Sequence, residues 1–177
     1  MILFIGDKAL YDFVHEIVPD VTYDLPIEQA DKLIVCDCSD SGLQAVRAAN
    51  LINIPILGIL GGYQAVADAL GARYEMAESC QEGKQELAVL DTGSALFKGL
   101  ETVVRICRGT PAAVIDTALP PELDCIARAE TGEVLAFSNR QVQNLGESIF
   151  AINIHLVSNL TPAGAKIIEN FINIKVR

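Results

Sequence analysis

The chain has 177 residues, 51% hydrophobic and 20% charged, with 13 basic against 23 acidic side chains and a net charge of −10. That length suits one domain burying roughly 70% of its unfolded surface, so a single domain over residues 1–177 is expected. The apolar content argues against disorder, and the scattered basic residues argue against nucleic acid or a membrane surface as partner.

In chain order, "MILFI" reads as a first strand stopped by Gly6 and Asp7. It lacks the basic flank and longer apolar core of a signal peptide, and no run approaches the roughly 18 apolar residues of a membrane span. A cytoplasmic location is expected. Residues 8–18 have helical spacing, with His15 a structural or surface residue among Phe13, Val14 and Ile17. "DKLIVCD" is a second strand, and residues 41–52 a helix with Ser39, Asp40 or Ser41 as candidate N-cap. "IPILGI" at 54–59 is a buried strand, followed by a helix from Gly62 that Gly71 ends. This alternation implies a parallel sheet covered on both faces, with functional loops at the carboxyl ends of its strands.

The second half is different. "QELAVL", "TVVRIC", "LDCIARA", "GEVLAFS" and "SIFAINI" are strand-like runs separated by turn signals at Thr131-Gly132 and Asn144 to Gly146. Several are expected to be antiparallel. The last segment returns to helix, with Thr161 as N-cap, Pro162 at the first helical position and an apolar stripe of Ile167, Ile168, Phe171 and Ile172. The odd set Cys36, Cys38, Cys80, Cys107 and Cys125 fits reduced thiols rather than a disulfide framework.

The stretch "GILGGYQAVADALG" (58–71) has the form of a strand–turn–helix elbow that presents a nucleophile to a helix N-terminus. Between Leu51 and Ala72, however, there is no Cys, Ser or Thr. Gly58, Gly61 and Gly62 are explained by the tight corner and a close helix approach.

These landmarks resemble the class I glutamine amidotransferase family over nearly the whole chain. "PILGILGGYQAVADALGARY" is similar to that family's P-x-x-G-I-C-L-G-H-Q-x-[IL]-x-x-x-x-G-[GA], "SALFKGLE" to S-P-L-F-x-G-L-P, and "ESIFAINIHLVSNLTPAGAKIIENFI" to I-[YF]-G-V-Q-F-H-P-E-[VS] and its closing helix. The resemblance implies an α/β, flavodoxin-like fold: a mostly parallel central sheet flanked by helices, with a more antiparallel second half. It puts the nucleophile position on Leu60, the general-base position on His155 and the orienting-Glu position on Val157. The elbow His becomes Tyr63, and Gln64 stands where the family has a Gln beside its substrate. The glycine-rich oxyanion loop becomes Cys36, Asp37, Cys38, Ser39 and Asp40, and the later substrate loop becomes Cys107, Arg108, Gly109 and Thr110.

Each replacement removes a function. Amide hydrolysis needs a thiolate, and Leu60 has no ionisable group. Val157 cannot hold an imidazole in one tautomer. Bulkier residues at 36–40 crowd an oxyanion, and Asp37 and Asp40 place carboxylates near it. The expectation is a catalytically inactive amidotransferase-like domain, a pseudoenzyme with a degenerate triad, acting in binding, regulation or subunit interaction. Its expected partner is a synthetase or ligase-type protein, or a second copy of itself. No cofactor is implied.

Gly62, Tyr63, Gln64, Cys36, Asp37, Cys38 and His155 are the candidate residues for a small polar ligand. Each also has a plain structural reading, His155 as a strand-end histidine and Gln64 as a capping residue. The alternative is altered chemistry in the same family: a relocated nucleophile, Cys38 or Cys107 with His155, or a metal or redox site built from Cys36, Cys38 and His155.

Overall fold

The computed structural model describes residues 1–76, 83–140 and 146–175. Cys80 and the Asn144 end of the expected turn lie outside the described residues. The first half forms β1 (Ile2–Ile5), α1 (Lys8–Ile17), β2 (Val21–Thr22), β3 (Lys32–Val35), α2 (Asp40–Leu51), β4 (Ile56–Ile59) and α3 (Gly61–Leu70). The second half forms β5 (Tyr74–Met76), β6 (Gln85–Leu90), β7 (Val103–Cys107), β8 (Ala112–Val114), β9 (Leu123–Ala129), β10 (Val134–Asn139), β11 (Ile149–Ile152) and α4 (Gly164–Ile172).

The eleven strands of the described residues join one sheet, whose main path runs β2-β1-β3-β4-β11-β10-β9-β6-β7. From β2 to β11 the pairings are parallel, and from β11 to β7 antiparallel. The expected division into a parallel and an antiparallel half is the division found.

Strand alternation supplies two cores, one on each face. Ile2, Phe4 and Ile34 face Leu10 and Val14 of α1 and Ile167, Ile168 and Phe171 of α4. Leu3, Leu33 and Val35 face Val46 and Ala49 of α2 and Tyr63, Ala65 and Val66 of α3. At the amino ends of the parallel strands, the Glu147 carboxylate accepts from Ser94 Oγ (2.9 Å), Ala95 N (2.6 Å) and Ser138 Oγ (2.7 Å). This buried anchor holds the "SALF" turn, so that motif has a packing role well away from the elbow.

Two local expectations need correction. Helix α3 starts at Gly61, one residue before the expected Gly62. Helix α4 starts at Gly164 with Ala163 at its N-cap position, not with Thr161 and Pro162. The Thr161 hydroxyl instead accepts from Cys107 N at 2.9 Å, because an exposed cap bond is worth less than satisfying a buried strand amide. For α2 the cap is Ser39, whose hydroxyl accepts from Gly42 N.

Candidate functional site

Strand β4 ends at Ile59 and α3 begins at Gly61, so Leu60 alone turns the corner. Its φ of +58° is a conformation that branched L-residues avoid at a cost of about 1–3 kcal/mol. The fold holds it there from both sides: Leu60 N donates to Ile152 O (3.0 Å), and Leu60 O accepts from Tyr63 N (3.0 Å). The elbow geometry is thus intact, with an isobutyl group at the position the helix N-terminus faces.

That group is not free in a cleft. It packs onto Gly109, where an added Cβ would lie 1.9 Å from Leu60 Cδ2. The loop carrying Gly109 is pinned by the fully buried Asn153, just beyond β11. Asn153 Oδ1 accepts from Thr110 N and Thr110 Oγ1, both at 3.0 Å, and its Nδ2 donates to Thr110 O (2.9 Å) and Ala112 O (2.7 Å). Both donors and both lone pairs of the amide are used, which fixes the loop over the corner.

The loop after β3 closes the other side. A Cβ on Gly62 would sit 1.8 Å from Val35 O, and one on Gly61 would sit 2.8 Å from Cys36 O and 3.0 Å from Cys38 N. Backbone-to-backbone contact therefore demands both glycines. Asp37 turns back on its own loop, accepting from Ser39 N (2.9 Å) and from the Ser39 hydroxyl. Cys36 is half-buried, and burial first, then Asp7 and Asp37, push its thiol well above the ordinary range. Cys38 is exposed.

His155 and Leu60 leave neighbouring parallel strands, since Ile152 of β11 is in register with Ile59 of β4. The His155 side chain is exposed, while its backbone N–H donates to Cys107 O (2.8 Å). Val157 is half-buried and packs against the α1/α4 core. Cys107 is buried, with its thiol directed to the neighbouring Arg108 O (3.6 Å). Arg108 turns away from the corner to pair with Glu86 (2.9 Å) and Glu133 (3.4 Å). Among the described residues, no three or more His, Cys, Asp or Glu side chains group so as to hold a metal ion. Cys36, Cys38 and His155 are not brought into such a group.

The α3 residues divide. Tyr63 has no exposed surface; its hydroxyl donates to Val134 O and accepts from Val114 N, both at 2.8 Å. It ties α3 to β8 and β10 and is corrected from ligand candidate to core residue, because both hydrogen-bonding roles of its hydroxyl are spent. Gln64 is half-buried and directs its amide toward Met76 Sδ (3.9 Å). Cavities of about 680, 540 and 550 Å³ open elsewhere, none lined by Leu60, Gln64, Cys38 or His155. Sequence reasoning missed Asn153. Its signal was a lone amide inside the apolar run "IFAINI", since a polar residue buried in such a run must be bonded.

The family model described as Glutamine amidotransferase class-I matches residues 35–174. Among curated proteins, the chain is 34% identical over 133 residues to aminodeoxychorismate synthase of Streptomyces griseus, covering 75% of this chain and 17% of that protein. It is 28% identical over 122 residues to the bifunctional protein TrpGD of Thermotoga maritima, covering 69% of this chain and 20% of that protein. To aminodeoxychorismate synthase component 2 of Klebsiella aerogenes it is 28% identical over 139 residues, covering 78% and 71%. The chain thus spans about a fifth of the length of the first two relatives.

Among solved structures, a GMP synthase-type protein of Thermoplasma acidophilum superposes with a TM-score of 0.79 at 22% identity, covering 97% of this chain and 91% of that one. A glutamine amidotransferase of Thermotoga maritima gives 0.69 at 14% identity, covering 97% and 80%. At these identities the structures establish the fold. Among the described residues no helix is long and apolar enough to cross a membrane.

Proposed function

Since the chain belongs to the class I glutamine amidotransferase family, we propose that it is an inactive member of it, serving as a binding, regulatory or subunit-interaction domain. One observation carries this reading: the corner residue that the elbow presents is Leu60, half-buried and packed against Gly109. A hydrocarbon there supplies neither nucleophile nor proton, and in a serine protease loss of the nucleophile alone costs roughly 10⁶ in turnover. Val157 adds a second loss, since an apolar side chain cannot orient His155.

What the fold retains is the loop face at the carboxyl ends of the parallel strands. Relatives named as component 2 of a synthase support a synthase-type protein as the partner on that face. Exposed Cys38 and His155 and half-buried Gln64 are the groups it offers. The free thiols of Cys36, Cys38, Cys107 and Cys125 support a cytoplasmic location.

The test is covalent labelling with a diazoketone analogue of glutamine, read by intact mass. The mass is expected to stay unchanged. A stoichiometric adduct on Cys38 or Cys107 would overturn the reading in favour of a relocated nucleophile.

A further inference from the structure

Strand β7 ends the sheet, and among the described residues it pairs only with β6. Successive residues of an antiparallel strand direct their backbone groups to opposite edges. Leu90 N donates to Thr102 O at 2.7 Å, so Thr102 and Val104 face β6, while Val103 and Arg105 turn N–H and C=O outward. Cys107 also points outward, but its groups are taken: its N–H donates to Thr161 Oγ1 (2.9 Å) and its C=O accepts from His155 N (2.8 Å). The open edge therefore runs from Glu101 to Arg105.

The side chains of this segment follow the same alternation. Val104 and Ile106 pack into the α1/α4 core, which leaves Glu101, Val103 and Arg105 on the outer face, all exposed. Val103 is 48% exposed, and Val89, directly opposite it on β6, is 45% exposed. A groove of about 550 Å³ follows the edge, lined by Leu87, Leu100, Glu101, Val103, Arg105 and Pro162 among others. An open edge carrying an apolar side chain at its middle is what monomeric proteins guard against.

We propose that this edge pairs with the same edge of a second copy, antiparallel about a twofold axis through Val103. The outward segment reads Glu-x-Val-x-Arg, which is its own complement when reversed. The axis sets Val103 against Val103, with each backbone exchanging both hydrogen bonds, and sets Glu101 against Arg105 twice. A shift of the axis to Val104 would put Val103 against Arg105 and Glu101 against the occupied Cys107, so charge and free backbone groups select one register. The outer row then runs Val89, Val103, Val103, Val89 across four strands of one continuous sheet. This inference does not rest on the loss of glutaminase activity.

The experiment is sedimentation and light scattering on the full chain, where a particle of twice the 19.0 kDa chain is expected. Glu101→Arg alone and Arg105→Glu alone each face like charge with like, and each is expected to weaken self-association at least about tenfold. Mixed together they restore both opposite-charge pairs, so the mixture is expected to recover a heterodimer. Val103→Pro removes one outward N–H without touching the bonds to β6, as edge prolines do, and is expected to give a monomer with an unchanged circular dichroism spectrum. A wild-type chain that stays monomeric, a dimer indifferent to the single charge reversals, or a mixture that fails to pair would overturn the proposal.

Discussion

Leu60 and Gly109 are in direct contact across the β4–α3 corner, with no room for a Cβ between them. A side chain on Gly109 must move Leu60 or the Asn153-pinned loop. Gly109→Ala is therefore expected to lower stability in urea unfolding by about 1–3 kcal/mol. In a Leu60→Ala background the same change is expected to cost about 1 kcal/mol less, since the obstructing methyl is gone. Equal costs in the two backgrounds would mean the contact does not exist.

Asn153 is the clasp of that loop. Asn153→Leu keeps the branched shape but strands Thr110 N, Thr110 O and Ala112 O in a partly to fully buried setting, so a loss of about 2 kcal/mol or more is expected. Amide exchange of Thr110 is expected to accelerate more than that of the β6 and β9 strands. Uniform acceleration would show that Asn153 stabilises the whole domain without fixing this loop.

How far the sequence predicts this arrangement depends on how local each cause is. Strands β6 and β9 coincide with the apolar runs "QELAVL" and "LDCIARA", because alternation and turn residues lie within the segments. Strands β2, β5 and β8 have two or three residues, too few for a periodic signal, and exist through their neighbours. Thr161 satisfies every local rule for a cap, yet a strand amide distant in sequence, Cys107 N, claims its hydroxyl. At the corner, the motif put Leu60 in place of the nucleophile. The closure by Gly109 and Asn153 stayed hidden, since it depends on loops far apart in the sequence.

The two thiols of the β3–α2 loop should differ sharply. Iodoacetamide near pH 8 is expected to label exposed Cys38 at least about tenfold faster than Cys36, whose thiol burial holds neutral. The folded pKa of Cys36 lies above the unfolded one, so the folded state keeps its proton longer. Stability is fully present below the ordinary thiol range, about 8.5, and falls as the pH climbs from there toward the folded value. Cys36→Ala is expected to reduce the stability lost between about pH 7 and pH 9.5. Matching losses in the two proteins would remove Cys36 as the cause.

Leu60→Cys combined with Val157→Glu supplies a nucleophile and an orienter in name. It leaves Cys36 to Asp40 where the family resemblance puts the oxyanion loop, and Arg108 paired with Glu86, and a single missing oxyanion donor costs about 10² to 10³ in rate. The new thiol stands at the N-terminus of α3, which favours its ionised form. Fast alkylation of the introduced thiol with negligible glutamine turnover is expected. Turnover near that of a working amidotransferase would mean that the oxyanion and substrate loops are intact.

The most direct measurement is ammonia release from glutamine by the purified wild-type chain, followed beside Cys38→Ser and Cys107→Ser. With Leu60 at the corner, all three proteins are expected to release ammonia at the rate of buffer alone. Hydrolysis by the wild type that either serine substitution abolishes would place a working nucleophile elsewhere in the site and contradict the account.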